Sequence, residues 1–207
     1  MSEPMVCYTF RRCPYAMRAR MAMDYAGIAP EYREISFSNK PPSMCEVSPK
    51  ATVPVLVLPE GEVIDESRDI MLWSLEQNDP QNWRGVNPEI RDATDSLIDC
   101  NDKEFKDWLD KYKYADRYPE HPESYYRSGG EVFLSRLEDL LSLNVWLLGD
   151  TPGLADMAIF PFIRQFSMVD SDWFEQAAYP RLRQWLGEIL ESERFQRIMI
   201  KRSLWAF

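Results

Sequence analysis

The start of the chain alternates between strand and helix patterns within its first 37 residues. An apolar run at 5–10 predicts a strand, apolar residues at helical spacing over 14–26 predict a helix that ends at Gly27, and residues 31–37 predict a second strand. A helix between two neighbouring strands carries the chain across the sheet, so we expect these strands to lie parallel. The chain is therefore expected to open with an α/β unit.

A hairpin and a further helix are expected to complete this unit. Residues 42–47 predict a short helix, residues 55–58 predict a strongly apolar strand, and residues 63–64 are its expected hairpin partner. A helix follows, for which Ser67 is a suitable N-cap. The pattern thus predicts a compact α/β unit with a mixed four-stranded sheet, ending near Gln77.

The rest of the chain is expected to be helical. Asn, Asp, Pro and Gly residues indicate a linker over 78–88, and the later segments keep apolar residues at helical spacing. We predict an α/β domain over 1–77, this linker, and an all-helical domain over 89–207. Amphipathic helices near 180–191 and 193–201 are expected to close the chain.

Charge and composition exclude several classes of function. The net charge is −10, which disfavours nucleic acid and anionic membranes as partners because both carry the same sign. The N-terminus lacks the segments of a secretion signal, and no apolar run approaches the roughly 20 residues that span a bilayer, so we expect a cytoplasmic protein. No metal site is expected, because the four cysteines lack zinc-ligand spacing and His121 is the only histidine.

Cys13 is the candidate reactive residue. It stands at the predicted start of the first helix, and Pro14 suits the first helical position because its missing N–H costs nothing there. Unpaired N–H groups and the positive end of the helix dipole stabilise a thiolate at such a position, and Arg11 and Arg12 add positive charge. The alternative is a small, partly buried cysteine that only caps the helix.

Four motifs follow one another along the chain: Cys13-Pro14-Tyr15-Ala16, Lys40, Val53-Pro54 and Glu66-Ser67. In this order and spacing they resemble a cytosolic glutathione transferase of the cysteine type, most closely the omega class, and the thiol unit alone resembles a glutaredoxin. The resemblance spans essentially the whole chain. It implies a thioredoxin-like N-terminal domain followed by an all-α helical bundle, glutathione as cosubstrate with no permanently bound cofactor, and a homodimer.

The resemblance implies a glutathione-binding role for two dipeptides. The backbone of Val53 would pair with the cysteinyl part of glutathione beside a cis Pro54, whereas an isolated Val-Pro bond is more often trans. Ser67 would offer its hydroxyl and backbone N–H to the γ-glutamyl carboxylate, and Glu66 would face the ammonium. Plain helix capping is the alternative for this second pair, and both roles are compatible.

Two further residues have weaker implied roles in glutathione binding. Lys40 matches the lysine that reaches the glycyl carboxylate in the omega class, although an exposed lysine is more often only solvated. Tyr15 stands where the family has an aromatic residue that lines the sulfur pocket.

The second substrate is expected to bind between the domains. Phe105, Trp108 and Tyr112 form one stripe of the long helix, for which ordinary core packing is the alternative. Trp205 and Phe207 are candidates to cover that pocket. In the same half of the chain, Gly153-Leu154-Ala155-Asp156 resembles the family's capping box, with glycine where Ser or Thr is usual.

The chemistry implied by these residues is glutathione-dependent thiol-disulfide exchange through a glutathionylated Cys13. Ala16 stands where a two-cysteine oxidoreductase has its resolving thiol, so the route is monothiol, as in deglutathionylation or dehydroascorbate-type reduction. Two alternatives remain: a conventional transferase that conjugates glutathione to hydrophobic electrophiles, and a non-enzymatic interaction module that keeps the fold.

Overall fold

The computed structural model describes residues 4–206. Four strands form one sheet: β1 (Val6–Thr9), β2 (Glu31–Glu34), β3 (Val55–Val57) and β4 (Val63–Ile64). Their order is β2-β1-β3-β4; β1 and β2 are parallel, and the other two pairs are antiparallel. This is the mixed four-stranded sheet that the alternating pattern predicts.

Three helices lie between or directly after these strands along the chain. They are α1 (Pro14–Ala26), α2 (Pro42–Val47) and α3 (Ser67–Gln77). Helix α1 ends where predicted, because Gly27 adopts the left-handed conformation (φ 76°) and its N–H bonds back to the last turn. Ser67 is the first residue of α3 and Glu66 is the N-cap, so the expected N-cap role of Ser67 is wrong. Its hydroxyl is bonded to an arginine side chain instead.

The second part of the chain is helical, as expected. Its α-helices are α4 (Pro88–Cys100), α5 (Lys106–Lys113), α6 (Glu123–Leu143), α7 (Leu154–Ser167), α8 (Ser171–Gln176) and α9 (Pro180–Glu191). A π-helical turn joins α4 to α5 over Asn101–Phe105, and a 3-10 turn follows α5 over Ala115–Arg117. The predicted linker contains the buried Trp83, whose carbonyl accepts a hydrogen bond from the Leu154 amide at 2.8 Å.

The predicted capping box at the start of α7 is present. One carboxylate oxygen of Asp156 accepts from the Gly153 amide at 2.9 Å, and the other accepts from the Leu147 amide at 3.0 Å and from the Trp185 indole at 2.8 Å. Burial raises the pKa of Asp156 to about 6, while these three donors act in the opposite direction.

The last helix, α10 (Glu193–Ile198), departs from the expected domain division. Contacts along the chain group 193–207 with 1–81 as one unit and 82–192 as the other, whereas the sequence pattern placed the whole of 89–207 in the helical domain. The physical reason is that α10 packs on α1: Arg194 and Arg197 both pair with Asp24, at 3.3 and 2.8 Å.

Residues 4–206 lack two kinds of feature. None of the helices there is long and apolar enough to cross a membrane. Nor do the described side chains include a group of three or more His, Cys, Asp or Glu residues suited to hold a metal ion.

Candidate functional site: the Cys13 turn and the start of α3

Cys13 is the N-cap of α1, and Pro14 occupies the first helical position, as the sequence predicts. The Cys13 amide donates to the Phe10 carbonyl at 3.0 Å, and its carbonyl accepts from the Met17 amide at 2.9 Å. This closes a turn over 10–13 that feeds directly into the helix. The thiol is half-buried, so the sulfur lies at the edge of the sheet core rather than inside it.

Val53 and Pro54 form the opposite wall of this site. The peptide bond between them is cis, as the resemblance implies. The Cys13 sulfur lies 3.7 Å from the Val53 carbonyl oxygen, which is within hydrogen-bond range for a thiol donor. The turn before α1 and the loop before β3 therefore converge at the sulfur.

Ser67 is supported by a residue that the sequence argument left without a role. The guanidinium of Arg18, on α1, is only 2% exposed and donates from Nε to the Ser67 hydroxyl oxygen at 3.0 Å. Because that oxygen already accepts a hydrogen bond, the hydroxyl proton remains for donation to another acceptor. Ser67 is thus prepared to donate to an anion at the first turn of α3, where helix N–H groups also point outward.

Glu66 is held in an ion-pair cluster. The Lys50 ammonium lies 2.5 Å from a Glu66 carboxylate oxygen and 3.1 Å from Asp65. The Ser48 hydroxyl also donates to Asp65 at 2.8 Å, and this bond together with Lys50 lowers the pKa of Asp65. The Glu66 carboxylate is therefore already paired with a cation.

Tyr15 and Lys40 are the remaining residues to which the resemblance assigns a role in glutathione binding. Tyr15 is half-buried, and its ring lies 5.1 Å from the Arg18 guanidinium carbon. Lys40 is exposed in the segment before α2. Arg12, one of the two arginines expected to add positive charge near the thiol, is exposed and stacks on the Phe10 ring at 5.6 Å.

Two domain models of one family match this chain. The glutathione S-transferase N-terminal domain model matches residues 8–83, and the C-terminal domain model matches residues 133–188. The chain belongs to the glutathione S-transferase family. The first match contains Cys13, Lys40, Val53-Pro54 and Glu66-Ser67, so the candidate site lies entirely within the N-terminal transferase domain.

Named relatives resemble the chain over most of its length. Glutathione S-transferase 3 of Glycine max is 27% identical over 201 residues, which cover 93% of this chain and 88% of the relative. Glutathione S-transferase omega-1 of Mus musculus is 24% identical over 182 residues, covering 87% and 74%. A glutathione transferase family member from Pseudomonas fluorescens, solved with two glutathione bound, has a TM-score of 0.81 at 17% identity and covers 96% of this chain and 93% of that one. The structural likeness confirms the transferase fold.

The other cysteines of this transferase lie in less favourable surroundings for thiol chemistry. Cys7 is fully buried in β1, and burial raises the pKa of its thiol to about 12. Burial, together with the charge of Glu104, also raises the pKa of Cys100. Cys45 is half-buried on α2. Cys13 is partly exposed, and it is the thiol at the N-cap of an α-helix.

The predicted second-substrate residues of the transferase divide between core and cavity. Phe105 and Tyr112 are buried in the helical core, where both rings pack on Phe166 at 5.5 and 4.8 Å. Trp108 is half-buried and, with one edge of Phe105, lines a cavity of about 290 Å³ between the α4–α5 segment and α6. Tyr112 thus has the core-packing role that was the alternative. Of the two C-terminal candidates, Trp205 packs on the ring of Tyr8 in β1, and Phe207 lies outside the described residues.

Proposed function

We propose that this transferase catalyses glutathione-dependent thiol-disulfide exchange through a mixed disulfide on Cys13. The observation that carries the proposal is the position of the Cys13 sulfur, which stands at the N-cap of α1 and 3.7 Å from the Val53 carbonyl next to the cis Pro54. A sulfur at the N-terminal end of a helix is stabilised as a thiolate by the positive end of the helix dipole, and partial exposure leaves it accessible to a disulfide.

Glutathione would be held above this sulfur by backbone and side-chain groups. The Val53 main chain would pair with the cysteinyl residue as an added strand, and Ser67 would donate to the γ-glutamyl carboxylate at the start of α3. Glu66 would bind the ammonium of glutathione, which either shares the Glu66 carboxylate with Lys50 or displaces Lys50 from it. Tyr15 would line the sulfur pocket, and Lys40 would reach the glycyl carboxylate from its flexible stem.

The reaction would proceed in two exchanges. The Cys13 thiolate attacks the glutathionyl sulfur of a mixed disulfide, so a Cys13–glutathione disulfide forms and the other sulfur leaves as a thiolate that takes up a proton. A second glutathione thiolate then attacks the glutathionyl sulfur, which releases oxidised glutathione and regenerates the Cys13 thiolate. Over both exchanges, one mixed disulfide and one glutathione become one free thiol and one oxidised glutathione, and no permanently bound cofactor takes part.

A single thiol suffices for this route. Ala16, one turn into α1, is fully buried and occupies the position of a resolving cysteine. The acceptors that fit are therefore small glutathione mixed disulfides and compounds of the dehydroascorbate type. Conjugation of electrophiles would be weak, because a thiolate beside bound glutathione forms a disulfide with it rather than activating it.

Paired substitutions at Cys13 test this proposal against conventional conjugation. Cys13→Ala should abolish reduction of a glutathione mixed disulfide, and Cys13→Ser should abolish it while gaining conjugation of a model electrophile such as a chlorodinitrobenzene. Retention of disulfide reduction in both variants would overturn the proposal. Wild-type protein that conjugates readily and exchanges no disulfides would favour the conventional activity.

Two further expectations accompany the proposal. We expect a homodimer, which sedimentation velocity at micromolar concentration tests directly. We also expect a cytoplasmic location, since the exchange needs a pool of reduced glutathione.

A further inference from the structure

The C-terminal residues 199–206, here called the C-terminal strap, run along the free edge of the sheet. Strand β2 is the outermost strand, and the strap pairs with it at one point: Leu204 forms a parallel bridge with Glu34, and the Trp205 amide donates to the Glu34 carbonyl at 2.8 Å. Edge strands leave their outward backbone N–H and C=O groups unpaired unless another segment covers them. The strap therefore covers the end of β2 nearest the Cys13 turn, since Glu34 is in register with Thr9.

Aromatic and cationic side chains fasten the strap to the same strands. The Arg33 guanidinium lies 4.3 Å from the centre of the Trp205 ring and also donates to the Tyr8 hydroxyl at 3.0 Å. The rings of Trp205 and Tyr8 meet edge to face at 5.9 Å, and Arg202 stacks on Tyr32 at 4.3 Å. Aromatic and cation–π contacts of this kind are attractive, so together they hold the strap against β1 and β2.

Arg20 connects the C-terminal segment to the turn that carries Cys13. Its guanidinium is 1% exposed; Nε donates to the Ile198 carbonyl at 3.1 Å, and Nη2 donates to the Arg11 carbonyl at 2.7 Å. Nη1 reaches the Phe10 carbonyl at 3.4 Å, which is the same oxygen that accepts the Cys13 amide. One buried side chain thus bonds both the end of α10 and the turn before α1.

Glu34 makes a second connection to the same turn. Its side chain is buried and accepts from the Arg11 amide at 2.7 Å, while its backbone carbonyl accepts from Trp205. Both main-chain polar groups of Arg11 are therefore held by buried side chains, Arg20 and Glu34. Arg20 is also bonded to the end of α10, and Glu34 is also bonded to the strap.

We propose that the C-terminal strap and the end of α10 position Cys13, acting through Arg20 and Glu34. A turn keeps one conformation when its backbone groups are satisfied and its anchors are buried, and it opens more easily when an anchor is lost. Releasing the strap should loosen Glu34, free the Arg11 amide and let the 10–13 turn exchange conformations. The orientation of the sulfur relative to α1 then depends on residues at the far end of the chain. The inference concerns the thiol of the proposed function but does not require glutathione to bind.

A matched pair of substitutions at Trp205 isolates the backbone bond. Trp205→Ala and Trp205→Pro both remove the indole, and only the proline also removes the N–H that bonds Glu34. We expect the Arg11 amide to exchange with solvent about threefold to tenfold faster in Trp205→Pro than in Trp205→Ala, as the loss of one hydrogen bond predicts. Alkylation of Cys13 by iodoacetamide, located by peptide mass spectrometry, should need a higher pH to reach half its plateau in the proline variant.

A measurement on the unmodified protein keeps the inference testable if the proline variant does not fold. Native-state hydrogen exchange in sub-denaturing urea should show the Trp205 and Arg11 amides opening together, with the same dependence on urea, ahead of the amides of β1. The inference is overturned if these amides open independently, or if both folded Trp205 variants exchange and alkylate alike. A wild-type Cys13 that alkylates readily and never takes up glutathione would instead remove the proposed function and leave the strap unaffected.

Discussion

Replacing Arg18 by methionine tests how the start of α3 is prepared to bind an anion. The substitution keeps the apolar stem and removes the guanidinium, which is 2% exposed and donates to the Ser67 hydroxyl at 3.0 Å. Without this donor the hydroxyl oxygen is no longer committed as an acceptor, so the hydroxyl proton loses its fixed direction. The positive charge behind the first turn of α3 is lost as well. We therefore expect Arg18→Met to weaken the binding of reduced glutathione.

The size of the effect follows from the type of contact. A hydrogen bond to a charged group contributes about 1.5–3 kcal/mol, and each 1.4 kcal/mol changes the dissociation constant about tenfold. The expected loss is therefore roughly tenfold to a hundredfold. Ser67→Ala should lose a similar amount, and the double variant should lose little more, because both changes remove the same contact.

Titration calorimetry with reduced glutathione at one ionic strength measures these affinities, and thermal unfolding confirms that each variant is folded. Arg181→Met is the matched control, since it makes the same substitution at an exposed arginine of α9 and should bind glutathione as the wild type does. Losses at Arg18 and Ser67 that add in full would show that the two residues act independently. Wild-type affinity in Arg18→Met would refute the reasoning.

Four other outcomes can be checked with the same protein. Asp156→Ala leaves three N–H donors without their acceptor and should lower the free energy of unfolding by roughly 3 kcal/mol at neutral pH, measured by urea denaturation. Burial raises the pKa of Asp156 to about 6, so between about pH 4 and about pH 6 the native state holds a proton that the unfolded state has released. The contribution of Asp156 to stability should therefore be full below about pH 4 and fall as the pH rises to about 6, and Asp156→Ala should lack this slope. Cys7, with a pKa raised to about 12, should alkylate only on unfolding; alkylation in native buffer as fast as that of Cys13 would contradict its assigned place in the core. Lys50→Ala should tighten glutathione binding by up to about fivefold, most at low salt, because the lysine no longer competes for Glu66; weaker binding would show that Lys50 helps to hold the ligand.

The features predicted correctly from the sequence are those with short-range signals. The extent of α1 follows from Pro14, the apolar spacing and Gly27, all within one segment. The parallel pairing of β1 and β2 follows from the helix between them, and the Asp156 capping box follows from a four-residue motif. The sheet and the helical second part were predictable for the same reason.

The supports of the candidate site were not predictable, because they connect distant positions. Arg18 and Arg20 lie on a helix where charged residues are ordinarily solvated, yet both are buried. Arg20 bonds the carbonyl of Ile198, which is 178 positions away. The one sequence signal that points to these arginines is their position on the apolar faces of α1.

The C-terminal strap shows the same limitation at the level of domains. The helical pattern of α10 over 193–198, which leads into the strap, matches that of the preceding helices, so periodicity alone attaches the C-terminal end of the chain to the helical part. What assigns it to the sheet is the pairing of Leu204 and Trp205 with Glu34, a tertiary contact with no local pattern.

The intact mass of the protein after incubation with oxidised glutathione shows whether Cys13 carries glutathione. We expect one adduct of glutathionyl mass on the native protein, removed by reduced glutathione and absent from Cys13→Ala, with peptide mapping placing it on Cys13. An adduct that survives Cys13→Ala, located on Cys45 or Cys100, or a native protein that forms none, would contradict it.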